Sequence, residues 1–334
     1  MMSRHQAQSV IGIDIGGTKL TAALADTAGA VGEMLRRRTE PGWTAQENLR
    51  ALSGMTQELL DKARARGLVV AAIGVGFGGP VDPIAGVIHR SHHVPGWEGV
   101  GLKAWFEEQF GLPTIVDNDA NAGGLGELYY GAARGRSDVL YVNIGTGIGG
   151  AVIIGGRLHH GAAGMAGEIG HCIVLPGGPV CTCGKQGCLE ALCAGPGIAR
   201  RAQQARREQP DQPSVLRGRP AEEVTSEAVF AAAREGDVLA QGIVDDTARF
   251  LGIGIGNALN LINSEMVILG GGVGEVGDIL LRPVREQVKE AALGRAAEAE
   301  VVSAQLGHDA GVMGAVALAA ELLGAIGGQD ASAH

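Results

Sequence analysis

Three cysteines and one histidine stand in a spacing that suits a bound metal ion. They follow the pattern H-x9-C-x-C-x4-C, and they are His171, Cys181, Cys183 and Cys188. One imidazole and three thiolates form the closed tetrahedral set of a structural zinc site, which keeps no position for a catalytic water. A redox dithiol and unligated cysteines are the alternatives, but no βαβ pattern surrounds a C-x-x-C pair here. We therefore predict a structural zinc, with Cys172 and Cys193 left over as buried thiols.

Two glycine-rich turns, each between two apolar strands, could hold phosphate groups. Their residues are Asp14, Gly16, Gly17, Thr18 and Lys19 in the first turn, and Gly145, Thr146, Gly147 and Gly149 in the second. Glycine lets the main chain approach phosphate oxygens, so backbone N–H groups and a threonine hydroxyl can face an anion. Asp14 would act through Mg²⁺ or its water shell. Each turn leads into a strand, so neither is a P-loop or a Rossmann turn. An ordinary hairpin would explain either turn alone, but a third cluster, with Gly271 and Gly272, follows a buried-type strand.

A carboxylate stands where a predicted strand, Thr114–Val116, gives way to a helix. The residues at this point are Asn118 and Asp119. They fall at the carboxyl edge of a sheet, where α/β proteins bind ligands. The Asp119 carboxylate could take the proton of a substrate hydroxyl that attacks phosphorus. The ordinary alternative is a helix N-cap, a position that Asp and Asn often occupy.

Two more carboxylates flank the zinc pattern. Glu168 precedes His171 by three residues, and Glu190 follows Cys188 by two. Carboxylates at these places could accept hydrogen bonds from sugar hydroxyls. Plain surface acidity is the alternative, because glutamate is mostly exposed in proteins.

Apolar strands and amphipathic helices alternate along the chain, which is the pattern of an α/β protein. The predicted helices cover Thr44–Arg66 and, approximately, residues 101–110, 188–206, 226–235, 238–262 and 311–325. The polar stretch 207–224 is predicted to be an exposed loop. The two strand–turn–strand units lie roughly 130 residues apart and suggest two similar halves facing one cleft. We expect a smaller domain of residues 1–118 plus about 311–334, and a larger one of residues 119–310 with the zinc pattern.

The composition argues against several classes of protein. The chain has 334 residues, 46% of them apolar and only 3% aromatic, so its core must be mainly aliphatic. The net charge of −9 argues against sequence-independent nucleic-acid binding, which needs a basic face. The arginine triplet at 36–38 is better explained as a solvated strand end. The sequence shows no signal-peptide pattern and no apolar stretch long enough for a membrane span. We therefore expect a cytoplasmic protein with no nucleic-acid or membrane partner.

Five segments of the sequence together resemble the ROK family of bacterial sugar kinases and repressors. They are Asp14–Thr18, Asn118–Asn121, Gly145–Gly150, Gly167–His171 and Cys181–Glu190. The resemblance extends over about Val10–Leu323. Within the family the chain looks most like the glucokinases, which carry the pattern C-x-C-G-K-x-G-C-L-E.

The resemblance implies an actin-like ATPase fold, two α/β domains around a central cleft that binds the sugar. It implies ATP-dependent phosphorylation of a hexose at its 6-hydroxyl, with glucose as the expected substrate, Mg²⁺ accompanying ATP, and a structural zinc. The two turns would hold the ATP phosphates, and the triple glycine would face the adenosine. Asp119 would be the catalytic base, and the sugar-binding residues would be Gly79, His93, Asn118, Asp119, Glu168, His171 and Glu190. His171 would bind zinc through one ring nitrogen and face the sugar through the other. The family also suggests a homodimer or a higher homo-oligomer.

One position departs from the family pattern. Sugar kinases of the family usually carry an asparagine in the turn at residues 91–97, and here His93 takes its place. Imidazole differs from an amide in reach and in tautomer, so the sugar preference stays open. A shifted loop that leaves both His92 and His93 exposed is the alternative.

Other functions are compatible with the same motifs. The hexose could be mannose, N-acetylmannosamine or fructose, and polyphosphate could replace ATP. A sugar-sensing repressor would need an N-terminal helix-turn-helix segment of roughly 60–80 residues. Only nine residues precede the first predicted strand. We therefore expect an enzyme and not a non-catalytic regulator.

Overall fold

The computed structural model describes residues 8–91 and 94–327, in which strands and helices alternate. The strands are β1 (Ser9–Ile15), β2 (Lys19–Asp26), β3 (Val31–Arg38), β4 (Val70–Phe77), β5 (Val81–Asp82), β6 (Val87–Ile88), β7 (Thr114–Asn118), β8 (Val139–Ile144), β9 (Ile148–Ile154), β10 (Arg157–Leu158), β11 (Met266–Gly270) and β12 (Glu300–Ser303). The helices are α1 (Ala45–Ala65), α2 (Leu102–Phe110), α3 (Asp119–Tyr130), α4 (Leu189–Cys193), α5 (Gly195–Glu208), α6 (Ser226–Arg234), α7 (Val238–Ile262), α8 (Gly271–Gly274), α9 (Asp278–Ala291) and α10 (Ala310–Leu322). Within the described ranges, no helix combines the length and the apolar character needed to cross a membrane.

The first sheet brings three strand ends of the predicted site to one edge. Its order is β3-β2-β1-β4-β7, with β1 antiparallel to β2 and with β1, β4 and β7 parallel. The register pairs Ile15 with Phe77, and Phe77 with Asn118. Because parallel strands end at the same edge, the first glycine turn, Gly78 and Asp119 follow three neighbouring strand ends. The sheet thus places the predicted phosphate turn near the predicted base.

Helix α1 and the apolar side chains of the sheet form the core of this region. The helix begins at a capping box, in which Glu47 accepts a hydrogen bond from the N–H of Thr44 at 3.0 Å. Its stripe of Leu52 and Leu59 is fully buried, together with Trp97. The core is mainly aliphatic, as the composition predicts.

Glycines let α10 pack almost directly on the first sheet and on α3. A methyl group at Gly74 of β4 would lie 1.9 Å from the carbonyl oxygen of Ala315. One at Gly314 would lie 1.7 Å from the carbonyl oxygen of Ala122. No side chain fits at either position, so the backbones are in direct contact. This contact fixes the start of α3, where Asp119 lies.

The second sheet repeats the arrangement around the second glycine turn. Its order is β10-β9-β8-β11-β12, and β8, β11 and β12 are parallel. The register pairs Asn143 with Gly270, so the second turn and the triple glycine follow neighbouring strand ends. The prediction of two α/β halves, each with a glycine turn at a sheet edge, is confirmed.

The chain groups into two compact units. The first runs to Ser137, includes Val152–Ala166 and resumes at His308. The second comprises Asp138–Ala151 and Gly167–Gly307. The sequence places the domain boundary at residue 118, whereas α3 groups with the first unit because it packs along α10.

Several elements differ from those expected. The single helix expected over 188–206 is two helices, α4 and α5, because Ala194 between them has extended backbone. The loop at 207–224 is not wholly exposed, since Leu216 and Val224 are buried. The sequence pattern does not predict α9, because Pro283 lies inside it and interrupts the helical signal.

Candidate active site and metal centre

The first glycine turn is the tip of the β1–β2 hairpin. The N–H of Gly16 donates to the carbonyl of Lys19 at 3.0 Å, which closes the turn. Thr39, just after β3, donates its N–H to the carbonyl of Thr18 and its hydroxyl to the carbonyl of Gly17, both at 3.1 Å. The carbonyl oxygens of the tip are therefore engaged by the protein. Such a turn suits an anion bound by its N–H groups.

Asp14, near the end of β1, is a half-buried carboxylate beside the start of α10. A methyl group at Gly311 would lie 2.8 Å from Asp14 Oδ1, so the helix needs glycine at this contact. Burial, and then the negative charge of Asp119, raise the pKa of Asp14 to about 7, although Lys19 opposes the shift. A divalent cation would stabilise the ionised form of such a carboxylate. Asp14 therefore fits the Mg²⁺ role predicted for it.

The helix cap and the candidate base are different residues. Asn118 is the N-cap of α3, and its Oδ1 accepts hydrogen bonds from the N–H groups of Ala120 at 2.8 Å and Asn121 at 3.3 Å. Asp119 is the first residue of the helix, and its Oδ1 also accepts from Ala120, at 2.9 Å. A methyl group at Gly78 would lie 3.6 Å from Asp119 Oδ2. The N-cap alternative thus applies to Asn118, and Asp119 Oδ2 lies near the end of β4.

Gly79 supports Asn118. Its carbonyl accepts a hydrogen bond from Asn118 Nδ2 at 3.1 Å. A methyl group at Gly79 would lie 2.6 Å from the carbonyl oxygen of Arg90, so no side chain fits there. Asn118 therefore uses Oδ1 for the helix cap and one amide hydrogen for Gly79, and within residues 8–91 and 94–327 its second amide hydrogen makes no bond. His93, the other predicted sugar-binding residue of this region, lies outside the described residues.

Glu190 holds the second glycine turn. Its Oε2 accepts a hydrogen bond from the N–H of Ile148 at 3.0 Å, and a methyl group at Gly147 would lie 2.8 Å from the same oxygen. Its Oε1 accepts from the hydroxyl of Thr182 at 3.0 Å. The N–H of Gly145 closes the turn onto the carbonyl of Gly147 at 2.9 Å. Glu190 is thus a fixed part of this turn, and not a plain surface acid.

The triple glycine forms the start of α8. Gly271 has φ of +76°, and a methyl group there would lie 2.5 Å from Oδ1 of Asn143. Gly272 has open space where a side chain would be. Gly271 is therefore required by the fold, whereas Gly272 leaves room next to the strand ends.

The four predicted zinc ligands lie together. Their nitrogen and sulfur atoms are all within 4.8 Å of one another, and they belong to His171, Cys181, Cys183 and Cys188. Nδ1 of His171 is 3.7 Å from Sγ of Cys181, and the sulfurs of Cys183 and Cys188 are also 3.7 Å apart. Zinc–sulfur bonds of about 2.3 Å at tetrahedral angles imply sulfur–sulfur distances of about 3.8 Å. The donor set and its spacing therefore fit a structural zinc ion.

The backbone of this metal centre is shaped by two tight contacts. The N–H of Cys181 donates to the carbonyl of Lys185 at 2.8 Å, and the N–H of Gly184 donates to the carbonyl of Cys181 at 2.9 Å. Gly187 has φ of +78°, and a methyl group there would lie 1.7 Å from the carbonyl oxygen of Leu175. Gly184, with φ of +85°, and Gly187 thus turn the chain within the motif.

His171 presents different nitrogens to the metal centre and to Glu168. Nδ1 is the nitrogen near Cys181, and Nε2 is 3.8 Å from Oε2 of Glu168. Nδ1 is thus the nitrogen placed for zinc, and Nε2 lies beside the carboxylate of Glu168.

The two remaining cysteines differ in exposure. Cys193 is buried, as predicted, and its thiol lies 3.6 Å from the carbonyl of Thr247. Cys172 is exposed, so its prediction as a buried thiol is wrong. Cys172 comes directly after a 3₁₀ turn, and its own backbone is extended. Its carbonyl oxygen accepts a hydrogen bond from the N–H of Leu189.

Sequence reasoning missed Asp117 and His160. Asp117 precedes Asn118 and is buried, and Nε2 of His160 lies 2.6 Å from its Oδ2. A buried charge at a strand end was readable from the Asp-Asn-Asp pattern, but no spacing signal connects it to a histidine far along the chain.

Comparison with known proteins agrees with this geometry. Residues 10–322 match the model of the ROK family. The chain is 39% identical to a glucokinase of Halalkalibacterium halodurans over 316 residues, which cover 91% of this chain and 92% of the relative. The protein belongs to the ROK family.

Two solved structures are similar over nearly the whole chain. A ROK family glucokinase from Streptomyces griseus, in complex with glucose and AMPPNP, has a TM-score of 0.79 and 34% identity, covering 94% of this chain and 99% of that one. A ROK hexokinase from Thermus thermophilus has a TM-score of 0.80 and 33% identity, covering 96% of this chain and 100% of that one. ROK sugar kinases have the actin-like ATPase fold, and this chain has that fold.

Proposed function

We propose that this protein transfers the γ-phosphoryl group of ATP to the 6-hydroxyl of glucose, with Asp119 as the general base. One observation carries the proposal: the strand register sets Asp119 next to the strand ends that carry Asp14 and the first glycine turn. A proton acceptor and a phosphate-binding turn at one sheet edge are what a kinase needs. The likeness to a glucokinase that binds glucose and AMPPNP supports this choice of substrates.

The main task of the protein in this reaction is to position the substrates, and not to react with them. Phosphoryl transfer passes through a loose transition state, so catalysis depends on in-line alignment and on charge neutralisation. Mg²⁺ bound with ATP supplies part of that neutralisation, and Asp14 is the residue that would hold its water shell. Asp119 hydrogen-bonds the attacking hydroxyl and accepts its proton late in the step, a role worth about 10²–10⁴-fold in rate.

The remaining predicted residues hold the two substrates. Asn118 donates its second amide hydrogen to a sugar hydroxyl, Glu168 accepts from sugar hydroxyls through its carboxylate, and His171 faces them with Nε2. The other sugar-binding residues are Gly79, His93 and Glu190. Gly145, Thr146, Gly147 and Gly149 face the phosphates, and Gly271 and Gly272 the adenosine. The zinc supplies no chemistry of its own, because a closed Cys₃His set leaves no open position. It orients His171, whose other nitrogen faces the sugar.

We also propose a setting for the enzyme. We take the two compact units as the two domains of the kinase, with residues 119–137 and Val152–Ala166 in the first and not in the second as expected. The protein acts in the cytoplasm and forms a homodimer or a higher homo-oligomer. Light scattering of the purified protein tests the oligomeric state, and a monomer at micromolar concentration would contradict it.

ADP release with ATP and Mg²⁺ across a panel of sugars tests the function. Glucose should give the fastest turnover, and Asp119→Asn should lower kcat by about 10²–10⁴-fold while the protein stays folded. Asp61→Asn, an exposed acid on α1 paired only with surface side chains, is the matched control and should keep wild-type rates. If mannose, N-acetylmannosamine or fructose is phosphorylated in place of glucose, the mechanism stands and the substrate is that sugar. If only polyphosphate supports the reaction, polyphosphate and not ATP is the donor. If a folded, zinc-loaded protein shows no turnover with any combination of sugar and donor, the protein is a non-catalytic sugar sensor.

A further inference from the structure

A hydrogen bond between a buried aspartate and a half-buried histidine holds the turn that carries the candidate base. Asp117 is 4% exposed, and its Oδ2 lies 2.6 Å from Nε2 of His160. Its Oδ1 accepts hydrogen bonds from the N–H of Asn118 at 2.7 Å and from Nδ2 of Asn121 at 2.8 Å. The carboxylate of Asp117 is therefore bonded to residues on both sides of Asp119.

These bonds define where α3 begins. Asn118 is the N-cap of the helix, and Asn121 lies in its first turn. Asp119 lies between the two residues that Asp117 holds. Since a misplacement of about 1 Å can cost roughly 10²-fold in rate, the orientation of Asp117 bears on the catalytic step. His160 is the contact that fixes the second oxygen of Asp117.

His160 is the hydrogen-bond partner of this buried carboxylate. The hydrogen bond to Asp117 raises the pKa of His160, although burial opposes the shift. The charge of Glu321 on α10 also raises the pKa of His160, and Arg157 on β10 acts on Glu321, whose own pKa is raised chiefly by burial. Tyr129 on α3 donates its hydroxyl to Glu321 at 2.7 Å. With Glu321 bonded to Tyr129, the imidazole of His160 is the direct partner of Asp117 Oδ2.

We propose that His160 is a positioning residue for phosphoryl transfer: by bonding Asp117, it fixes the turn that aims Asp119 at the substrate hydroxyl. Its kinetic part rests on the proposed function, whereas the hydrogen bond between His160 and Asp117 can be measured without activity. His160 does not touch the reacting atoms. It acts through Asp117 and the start of α3, so it should govern kcat more than substrate affinity.

Three variants test the kinetic part. His160→Ala removes the contact and should lower kcat about 10–100-fold with KM for glucose and ATP changed less than about threefold. His160→Gln keeps an N–H donor and should recover most of kcat. His159→Gln is the matched control, because His159 is the exposed neighbour and should behave as wild type. Unchanged kcat in His160→Ala would overturn the proposal. So would a result in which His160→Ala and His160→Gln lose kcat equally and in proportion to a fall in their melting temperatures.

Nuclear magnetic resonance of protein labelled at histidine Cε1 tests the hydrogen bond itself. The His160 signal, identified by its loss in His160→Gln, should titrate above the ordinary midpoint of about 6.5 in wild type and nearer to it in Asp117→Asn. A wild-type midpoint at or below the ordinary value would overturn the hydrogen bond between His160 and Asp117. If the wild-type enzyme is active and the midpoint is raised but kcat of His160→Ala is normal, only the positioning role fails. If the wild type releases no ADP with any sugar, the proposed function fails and the kinetic role of His160 fails with it.

Discussion

The N–H of Ile148 donates a hydrogen bond to Oε2 of Glu190 at 3.0 Å, and this bond connects the second glycine turn to the metal centre. The other oxygen of Glu190 accepts from Thr182, which stands between two zinc ligands in sequence. Oε1 also lies 3.7 Å from the sulfur of Cys181. One carboxylate thus bridges the turn predicted to hold phosphate and the loop predicted to hold zinc. The zinc pattern is thus bonded, through Glu190, to the second glycine turn.

Replacing Glu190 with glutamine should impair both substrates. The glutamine oxygen can still accept from Ile148, and its NH2 group can donate to the Thr182 hydroxyl, but both hydrogen bonds lose the charge of the carboxylate. Hydrogen bonds to charged groups are worth about 1.5–3 kcal/mol and neutral ones about 0.5–1.5 kcal/mol, so kcat/KM should fall about 10–150-fold. Steady-state kinetics should show KM rising for ATP as well as for glucose. Glu208→Gln, at the exposed end of α5, is the control, and a change confined to glucose would mean that Glu190 acts only on the sugar.

Removal of the zinc should abolish turnover. The four ligands come from a loop whose shape otherwise depends on a few turns, so the metal supplies much of its local folding energy. Cys183→Ser should reduce bound zinc from one equivalent to near zero by atomic absorption, lower the melting temperature and stop sugar-dependent ADP release. Cys172→Ser is a close control, since Cys172 is an exposed cysteine beside His171 and is not a ligand. A zinc-free Cys183→Ser protein with wild-type kinetics would show that the metal does not support the site.

Alanine at Gly314 should destabilise the protein strongly. Its methyl group would meet the carbonyl oxygen of Ala122 at 1.7 Å, and backbone cannot move aside as a side chain can. Overpacking of this kind costs about 1–3 kcal/mol or more in the free energy of unfolding. Gly54→Ala, in the exposed face of α1 with open space around it, should instead stabilise the protein by about 0.5–1 kcal/mol. Urea unfolding of both variants checks the contrast, and equal stabilities would contradict the close packing of α10 on α3.

The sequence predicts β1, β2, β4, β7, β8, β9 and β11, both glycine turns and the clustering of the zinc ligands, because each has a local signal in residue type and spacing. Asp119 is found in the same way, as a carboxylate at a strand end. Contacts between distant segments are the part that local patterns cannot supply. The bond between Asp117 and His160, and the double role of Glu190, depend on how the sheets and loops pack. The exposure of Cys172 is missed for the same reason, since a cysteine has no sequence signal that separates a buried thiol from an exposed one.

The stability of the protein without ligands should depend on Asp14 and on pH. The pKa of Asp14 is raised from 3.8 to about 7, chiefly by burial and then by Asp119. A raised carboxyl pKa means that the native state binds the proton more tightly than the unfolded chain. The stability that protonated Asp14 contributes is therefore fully present below about pH 4 and is lost as the pH rises towards about 7. Asp14→Asn removes this loss, so the variant should be more stable than wild type at pH 8, by at most about 4 kcal/mol, and the difference should shrink towards pH 5.

With Mg²⁺ and ATP bound, the wild type should become more stable than Asp14→Asn. A cation near Asp14 favours the ionised carboxylate, so at pH 8 the ligands should raise the melting temperature of wild type and leave that of Asp14→Asn nearly unchanged. Thermal unfolding at pH 5, 6, 7 and 8, with and without Mg²⁺ and ATP, measures both effects. Glu108→Gln, at an exposed position on α2, makes the same change in net charge and is the control. If Asp14→Asn is no more stable than wild type at pH 8 without ligands, Asp14 does not have the raised pKa, and its carboxylate is better solvated than its place beside α10 indicates.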